Sequence, residues 1–85
     1  MFNCSIHTLY STKKQIGKRK ASYRLCKISD VYGDEYLFCV SYKGRICRCA
    51  LCTDSRAEAK RRYLTLVKCS VTPLSLRDTV RDAFE

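Results

Sequence analysis

The hydrophobic period of this chain changes once along its length. Up to residue 52 apolar side chains tend to recur at alternate positions, the repeat of a strand with one buried face. From residue 55 they recur every third or fourth position, the repeat of an amphipathic helix. The plainest alternation is EYLFCVSYKGRICRCALC, residues 35–52, with Lys43-Gly44 at its centre. Glycine supplies the positive φ of a tight hairpin turn, so these two residues are predicted to close a hairpin. Its ladder sets Val40 opposite Cys47, Phe38 opposite Cys49 and Tyr36 opposite Leu51, an apolar face. The other face pairs Ser41 with Ile46, Cys39 with Arg48 and Leu37 with Ala50, a mixed set suited to solvent.

Two earlier segments extend this ribbon. A three-residue loop, Tyr32-Gly33-Asp34, pairs Ile28 with Phe38 and Cys26 with Val40 and lengthens the apolar face, whereas a two-residue loop puts Lys27 and Ser29 there. Before it Phe2, Cys4, Ile6, Thr8 and Tyr10 alternate as a further strand. A turn at Ile16-Gly17-Lys18 brings Ile6 opposite Ile28 and Thr8 opposite Cys26, on the same apolar face. On these registers His7, Lys27, Cys39 and Arg48 form a row across the uncovered face, beside Ser29, Leu37 and Ala50.

After the strands, Ser55 and Glu58 stand at capping-box spacing, and Ala59, Tyr63, Leu66 and Val67 form one helical stripe flanked by Ala57 and Leu64. Thr72-Pro73 offers a second helix start, with Leu76, Val80, Ala83 and Phe84 as its inward edge and Leu74 as a staple. The expected fold class is α+β: a three- or four-stranded antiparallel sheet with one or two C-terminal helices packed on one face. Residues 1–31 are read as a basic-tipped β-hairpin, 35–52 as a second hairpin, and 55–68 and 73–84 as helices. They belong to a single domain over residues 1–85, because a chain of 85 residues sustains one core and no repeat or linker divides it.

Charge adds a functional direction. Seventeen Lys and Arg stand against eight Asp and Glu, a formal net charge of +9, and residues 11–27, STKKQIGKRKASYRLCK, contain no acid at all. So asymmetric a surface favours an anionic partner, nucleic acid before an acidic host protein surface. Lys13, Lys14, Lys18, Arg19 and Lys20 occupy the predicted hairpin tip, where mutual repulsion keeps them solvated and ready for phosphates. Lys27, Arg45 and Arg48 are expected to face a groove, with Arg61 and Arg62 adding a flank from the helix. No segment approaches the ~20 apolar residues of a membrane span, so no membrane partner is expected. MFNCSIHTLYS has neither the basic nor the apolar part of a secretion signal, and the expected compartment is the reducing cytoplasm, of a host cell if the protein is viral. Seven cysteines are then free thiols or metal ligands before they are disulfides.

The three-strands-then-helix order, the SYKGR turn at residues 41–45 and the TDSRAEAKRRYL run at residues 53–64 resemble the small arm-binding DNA domains of phage and transposon integrases and the related plant ethylene-response-type domains. The resemblance covers residues 23–67. It implies a sheet lying in the major groove of duplex DNA with the helix packed behind it. The long basic hairpin and the thiols inside the sheet depart from that pattern, and the chain carries no recombinase catalytic domain.

Cys47, Cys49 and Cys52, with Cys69 or Cys26 as a fourth ligand, have the short spacing that suits zinc. Strict alternation, however, points Cys47 and Cys49 inward on successive rungs of one strand, and no second pair of the same kind accompanies them. They are read as small buried hydrophobes, with neither metal nor cofactor. Cys39, between Lys27 and Arg48 and with His7 one strand further, has the surroundings of a stabilised thiolate. No orienting group or oxyanion site goes with it, so no enzymatic activity is expected. The six tyrosines interleave with the cations as on a single-strand stacking platform, but Tyr36 and Tyr63 are core positions and Tyr23, Tyr32 and Tyr42 read as strand-end residues.

The function expected from the sequence is non-enzymatic binding of nucleic acid, duplex DNA first, through the open sheet face and the basic hairpin. The alternative is a small viral or mobile-element inhibitor of the anti-defence type. It would bind a host protein or its nucleic-acid channel, with Leu25, Leu37 and Ile46 as apolar anchors. An open edge on the first or third strand would let a second copy pair, giving a homodimer.

Overall fold

The alternating half of the chain forms one antiparallel meander. The computed structural model describes residues 5–51, 53 and 55–84. Strands β1 (Ser5–Ile16), β2 (Arg19–Asp30), β3 (Gly33–Tyr42) and β4 (Arg45–Ala50) form a sheet in the order β1-β2-β3-β4, followed by helices α1 (Arg56–Lys68) and α2 (Leu76–Phe84). This is the four-stranded, two-helix form of the expected α+β fold. Phe2 and Cys4 lie outside the described residues.

The β3–β4 hairpin has the expected register, with Val40 opposite Cys47 and Phe38 opposite Cys49. Lys43 and Gly44 both take positive φ, 53° and 75°, the geometry of a type I′ turn whose twist matches its strands. The β2–β3 register differs from the expected one. Asp30 Oδ1 accepts a 2.7 Å hydrogen bond from the Tyr32 N–H, so the turn closes on Val31-Tyr32 rather than around Gly33, and the register shifts by three residues. Leu25 therefore faces Phe38, and Tyr23 faces Val40. The expected pairing of Ile28 with Phe38 would have carried Arg24 onto the core side opposite Tyr42. The observed one buries Ala21, Tyr23 and Leu25 completely.

In β1 the expected pairs Ile6–Ile28 and Thr8–Cys26 are present, but they lie on the open face rather than the core face. A bulge at Leu9 then reverses the alternation, so that Tyr10, Thr12, Lys14 and Ile16 turn toward the helices. Ala59, Tyr63 and Leu66 of α1 are buried, while Ala57 and Leu64 are exposed. Ser55 caps α1 by accepting the Glu58 N–H at 3.3 Å, as its spacing predicts. Helix α2 begins three residues after Pro73 because residues 72–75 form a tight turn, with Ser75 N and Leu76 N both donating to the Thr72 carbonyl. Leu74 projects into solvent from that turn and staples nothing.

The core sits between sheet and helices around three rings. Phe38 lies 5.9 Å from Tyr23 and 5.8 Å from Tyr63, centroid to centroid, in tilted packing. Both phenols are tied down: Tyr23 donates to the Val71 carbonyl at 2.8 Å, and Tyr63 donates to Thr12 Oγ1 at 2.6 Å. Tyr23 thus holds the α1–α2 connection onto β2, and Tyr63 holds α1 onto β1.

Because Tyr23→Phe leaves a buried carbonyl without its donor, we expect it to lower stability by about 1–3 kcal/mol. Urea unfolding followed by near-UV circular dichroism should show a lower midpoint at unchanged slope.

Candidate nucleic-acid interface

The β2–β3 register decides which cations stand on the uncovered face. Open-face positions are Ile6, Thr8, Ser11, Lys13 and Gln15 on β1, and Lys20, Ser22, Arg24, Cys26 and Ile28 on β2. Glu35, Leu37, Cys39 and Ser41 of β3, with Ile46, Arg48 and Ala50 of β4, complete it. One row across all four strands reads Ser11, Arg24, Cys39, Arg48, and the next reads Lys13, Ser22, Ser41, Ile46. A cleft of about 520 Å³ follows these rows, with Thr8, Ser22, Arg24, Cys26, Cys39 and Arg48 in its wall. The face carries no aromatic ring among the described residues.

Several expected site residues are placed elsewhere. Lys27 and Ser29 belong to the helix-side face, in line with Tyr36 and Asp34. Lys27 Nζ lies 3.5 Å from Asp34, whose carboxyl is held below its ordinary value first by the Ser29 hydroxyl and then by Lys27. Arg24, which the sequence reading passed over, occupies the open-face position expected for Lys27. Its signal was available, since Ala21, Tyr23 and Leu25 make an apolar stripe that forces Arg24 to the other side. Arg45 lies at the hairpin end on the Tyr42 and Cys47 side, beside Thr72, Pro73 and Leu74.

Helix ends claim three more cations. Lys14 Nζ reaches back to the Val67 carbonyl at 3.1 Å and the Lys68 carbonyl at 3.4 Å, capping the negative end of α1. Arg61 and Arg62 both bind Glu58, and Arg62 also donates to the Leu51 carbonyl, joining α1 to the end of the sheet. These three side chains serve the fold. Lys13, Lys18, Arg19, Lys20, Arg24 and Arg48 are exposed.

The meander also sorts charge along its length. Antiparallel pairing puts the β1–β2 and β3–β4 turns at one end, which gathers Lys18, Arg19, Lys20, Lys43 and Arg45. The β2–β3 turn at the other end holds Asp30, Asp34 and Glu35. Twelve-residue strands at about 3.4 Å per residue separate the two ends by most of the 42 Å longest dimension. At the basic end the pairing of β2 with β3 stops at Ser22–Ser41, while β1 and β2 continue as a two-stranded ribbon through Lys14–Ala21, Gln15–Lys20 and Ile16–Arg19.

The thiols divide between the faces. Cys47 and Cys49 are half-buried on the helix side as expected, whereas Cys26 lies on the open face and Cys69 at the C-cap of α1. Cys26 is therefore separated from that pair by the sheet itself. Cys52 lies outside the described residues, and among the described residues no three His, Cys, Asp or Glu side chains gather around a metal position. His7 pairs with Lys27 on the helix-side face, opposite to Cys39, so the sheet separates thiol from imidazole. Burial pushes the Cys39 thiol above its ordinary value, with Cys26 adding to the rise and Arg48 opposing it. The expected stabilised thiolate is not there, because desolvation outweighs one exposed guanidinium. Leu25, an expected open-face anchor, is fully buried on the helix side, while Leu37 and Ile46 are on the open face.

Iodoacetamide near neutral pH should accordingly label Cys39 more slowly than exposed Cys69, as read by peptide mass spectrometry. Glu58 gives a second expectation. Hydrogen bonds from Arg61 and Arg62 lower its carboxyl from 4.5 to about 2, so its contribution to stability is complete above pH 4.5 and is lost as pH falls toward 2. Thermal unfolding across that window should show a fall in midpoint that is smaller in Glu58→Gln.

Compared with protein-family models, with curated proteins and with solved structures, the chain matches none, and its geometry alone bears on what it does.

Proposed function

We propose that this protein is a non-enzymatic nucleic-acid-binding module that takes duplex DNA through its basic ribbon and the adjoining open sheet face. The observation that carries the reading is the continuation of β1 and β2 as a two-stranded ribbon past their last pairing with β3, at the one end where the turn cations collect. A two-stranded ribbon fits the width of the major groove, whereas a four-stranded sheet is too broad to enter it whole. Lys13, Lys18, Arg19 and Lys20 hold phosphates flanking the groove, and Arg24 and Arg48 extend the contact along the sheet. Serine hydroxyls at positions 11, 22 and 41 add smaller donors on the same face. Among the described residues the face offers single-stranded bases no ring to stack on, which favours duplex over single strand.

The open face also supports a second reading, the inhibitor of a host protein. Ile6 and Ile46 are 66% and 64% exposed there, and apolar anchors beside cations suit a protein surface.

Fluorescence-anisotropy titrations against duplex DNA, single-stranded DNA and RNA at several salt concentrations separate the two. With about six phosphates engaged, log affinity for duplex should fall with log salt at a slope of about −5. The double variant Lys13→Ala/Lys20→Ala should reduce that slope by about 2, and Lys27→Ala should leave it unchanged. Binding that is equal for all three polymers and vanishes at physiological salt would favour the inhibitor.

A further inference from the structure

Tyr32, Val31 and Leu74 are the three most exposed large apolar side chains among the described residues, at 89%, 82% and 79%. None of them packs in the core, and they stand at opposite ends of the sheet. Val31 and Tyr32 are the two central residues of the β2–β3 turn, positions that Gly, Asn and Asp usually fill. Asp30 braces that turn by accepting the Tyr32 N–H at 2.7 Å, so both side chains are carried on a held tip. The exposed carboxylates of Asp30, Asp34 and Glu35 surround them. Among the described residues only Asp34 of these is ion-paired, with Lys27.

Leu74 belongs to the other end. With Tyr42, Lys43, Arg45, Thr72 and Pro73 it lines a hollow of about 380 Å³ beside the β3–β4 turn. Hydrogen bonds fix its walls. Tyr42 donates its hydroxyl to the Ile16 carbonyl at 3.1 Å, and Ser75 Oγ accepts the Thr72 N–H at 2.9 Å, closing the turn that presents Pro73 and Leu74. Lys43 Nζ stands 5.3 Å from the centre of the Tyr42 ring, and Arg45 is exposed, so apolar surface and two cations meet here.

Tip and hollow are complementary: an apolar pair among carboxylates at one end, an apolar recess with a lysine and an arginine at the other. They cannot meet within one molecule, because the ten residues of β3 hold them about 30 Å apart at roughly 3.4 Å per residue. We propose that the Val31-Tyr32 tip of one copy enters the Leu74 hollow of the next, joining copies head to tail. Tyr32 packs against Pro73 and Leu74 of the next copy, and Asp30 and Glu35 meet its Lys43 and Arg45. A basic cleft on another protein would also suit the tip; a second copy is selected because this chain carries the complement itself, with Leu74 otherwise left in solvent. A contact between two different patches is heterologous, so it repeats from copy to copy unless the rotation between neighbours closes a ring. The formal net charge of +9 opposes association at a distance, but that repulsion is screened over about 8 Å at physiological salt, whereas the proposed ion pairs lie in contact. The tip is small, so the contact is weak and reversible. The proposal does not depend on the nucleic-acid reading, since the hollow lies on the helix side of the sheet.

Sedimentation velocity of the full chain in about 0.15 M salt should give a coefficient that rises with protein concentration and passes beyond the dimer below about 1 mM. Two variants alter one end each: Val31→Ser/Tyr32→Ser removes the tip, and Arg45→Glu/Leu74→Ser removes the hollow. All four positions are exposed, so both variants should keep the parent far-UV circular dichroism while self-association weakens at least about tenfold. Mixed in equal amounts, the two variants retain one complete contact between them and should form a heterodimer that grows no further. Tyr32→Ser alone should weaken self-association in the same direction. The proposal is overturned if the chain stays monomeric to that concentration, if assembly stops at a symmetric dimer, if either variant associates as the parent does, or if the mixture gives no heterodimer.

Discussion

The contact of Tyr23, Phe38 and Tyr63 is the constraint on which the rest of this structure depends. It requires that β2 present Tyr23 to the same side as Phe38 on β3, and only one parity of pairing does so. Once that parity holds, Ala21 and Leu25 are buried, Arg24 and Cys26 are turned to the open face, and Lys27 is withdrawn from it. The hydroxyls then extend the constraint beyond the sheet, because Tyr23 reaches Val71 and Tyr63 reaches Thr12, tying the α1–α2 connection to β2 and α1 to β1. Core packing and the chemistry of the open surface are therefore consequences of a single choice.

How much of this was legible follows from how many residues each decision involved. The β3–β4 hairpin was readable because its turn has a Gly at the position needing positive φ and both flanking strands alternate without interruption. The start of α1 was readable because Ser55 and Glu58 satisfy a local hydrogen bond that needs no tertiary context. The β2–β3 register was not, since YRLCKISDV offers apolar residues on both faces: Tyr23 and Leu25 on one, Cys26 and Ile28 on the other. The balance was tipped by volume, two large side chains and Ala21 against a thiol and Ile28, together with the turn that Asp30 makes with Tyr32. The Leu9 bulge had no local signal. It lets the first half of β1 follow the open face while the second half follows the core.

The basic residues show why counting charge is not the same as locating a site. Lys14, Arg61 and Arg62 look like the rest in the sequence, yet the first caps a helix, the other two share a carboxylate, and Arg62 also holds the Leu51 carbonyl. What distinguishes them is reach: Lys14 and Arg62 find backbone oxygens, whereas Lys13, Lys20, Arg24 and Arg48 on the open face are exposed. The remaining cations are set by strand pairing rather than by packing, which keeps their positions well defined while leaving their heads hydrated.

The end-to-end separation of charge has one more consequence. With lysines and arginines around two turns and aspartates and a glutamate around the opposite turn, the sheet contributes a dipole nearly along its strands. Near any extended polyanion this dipole feels a torque before any side chain makes contact. On the proposed reading, that torque would turn the ribbon end toward the polymer ahead of contact, as a field turns a compass needle.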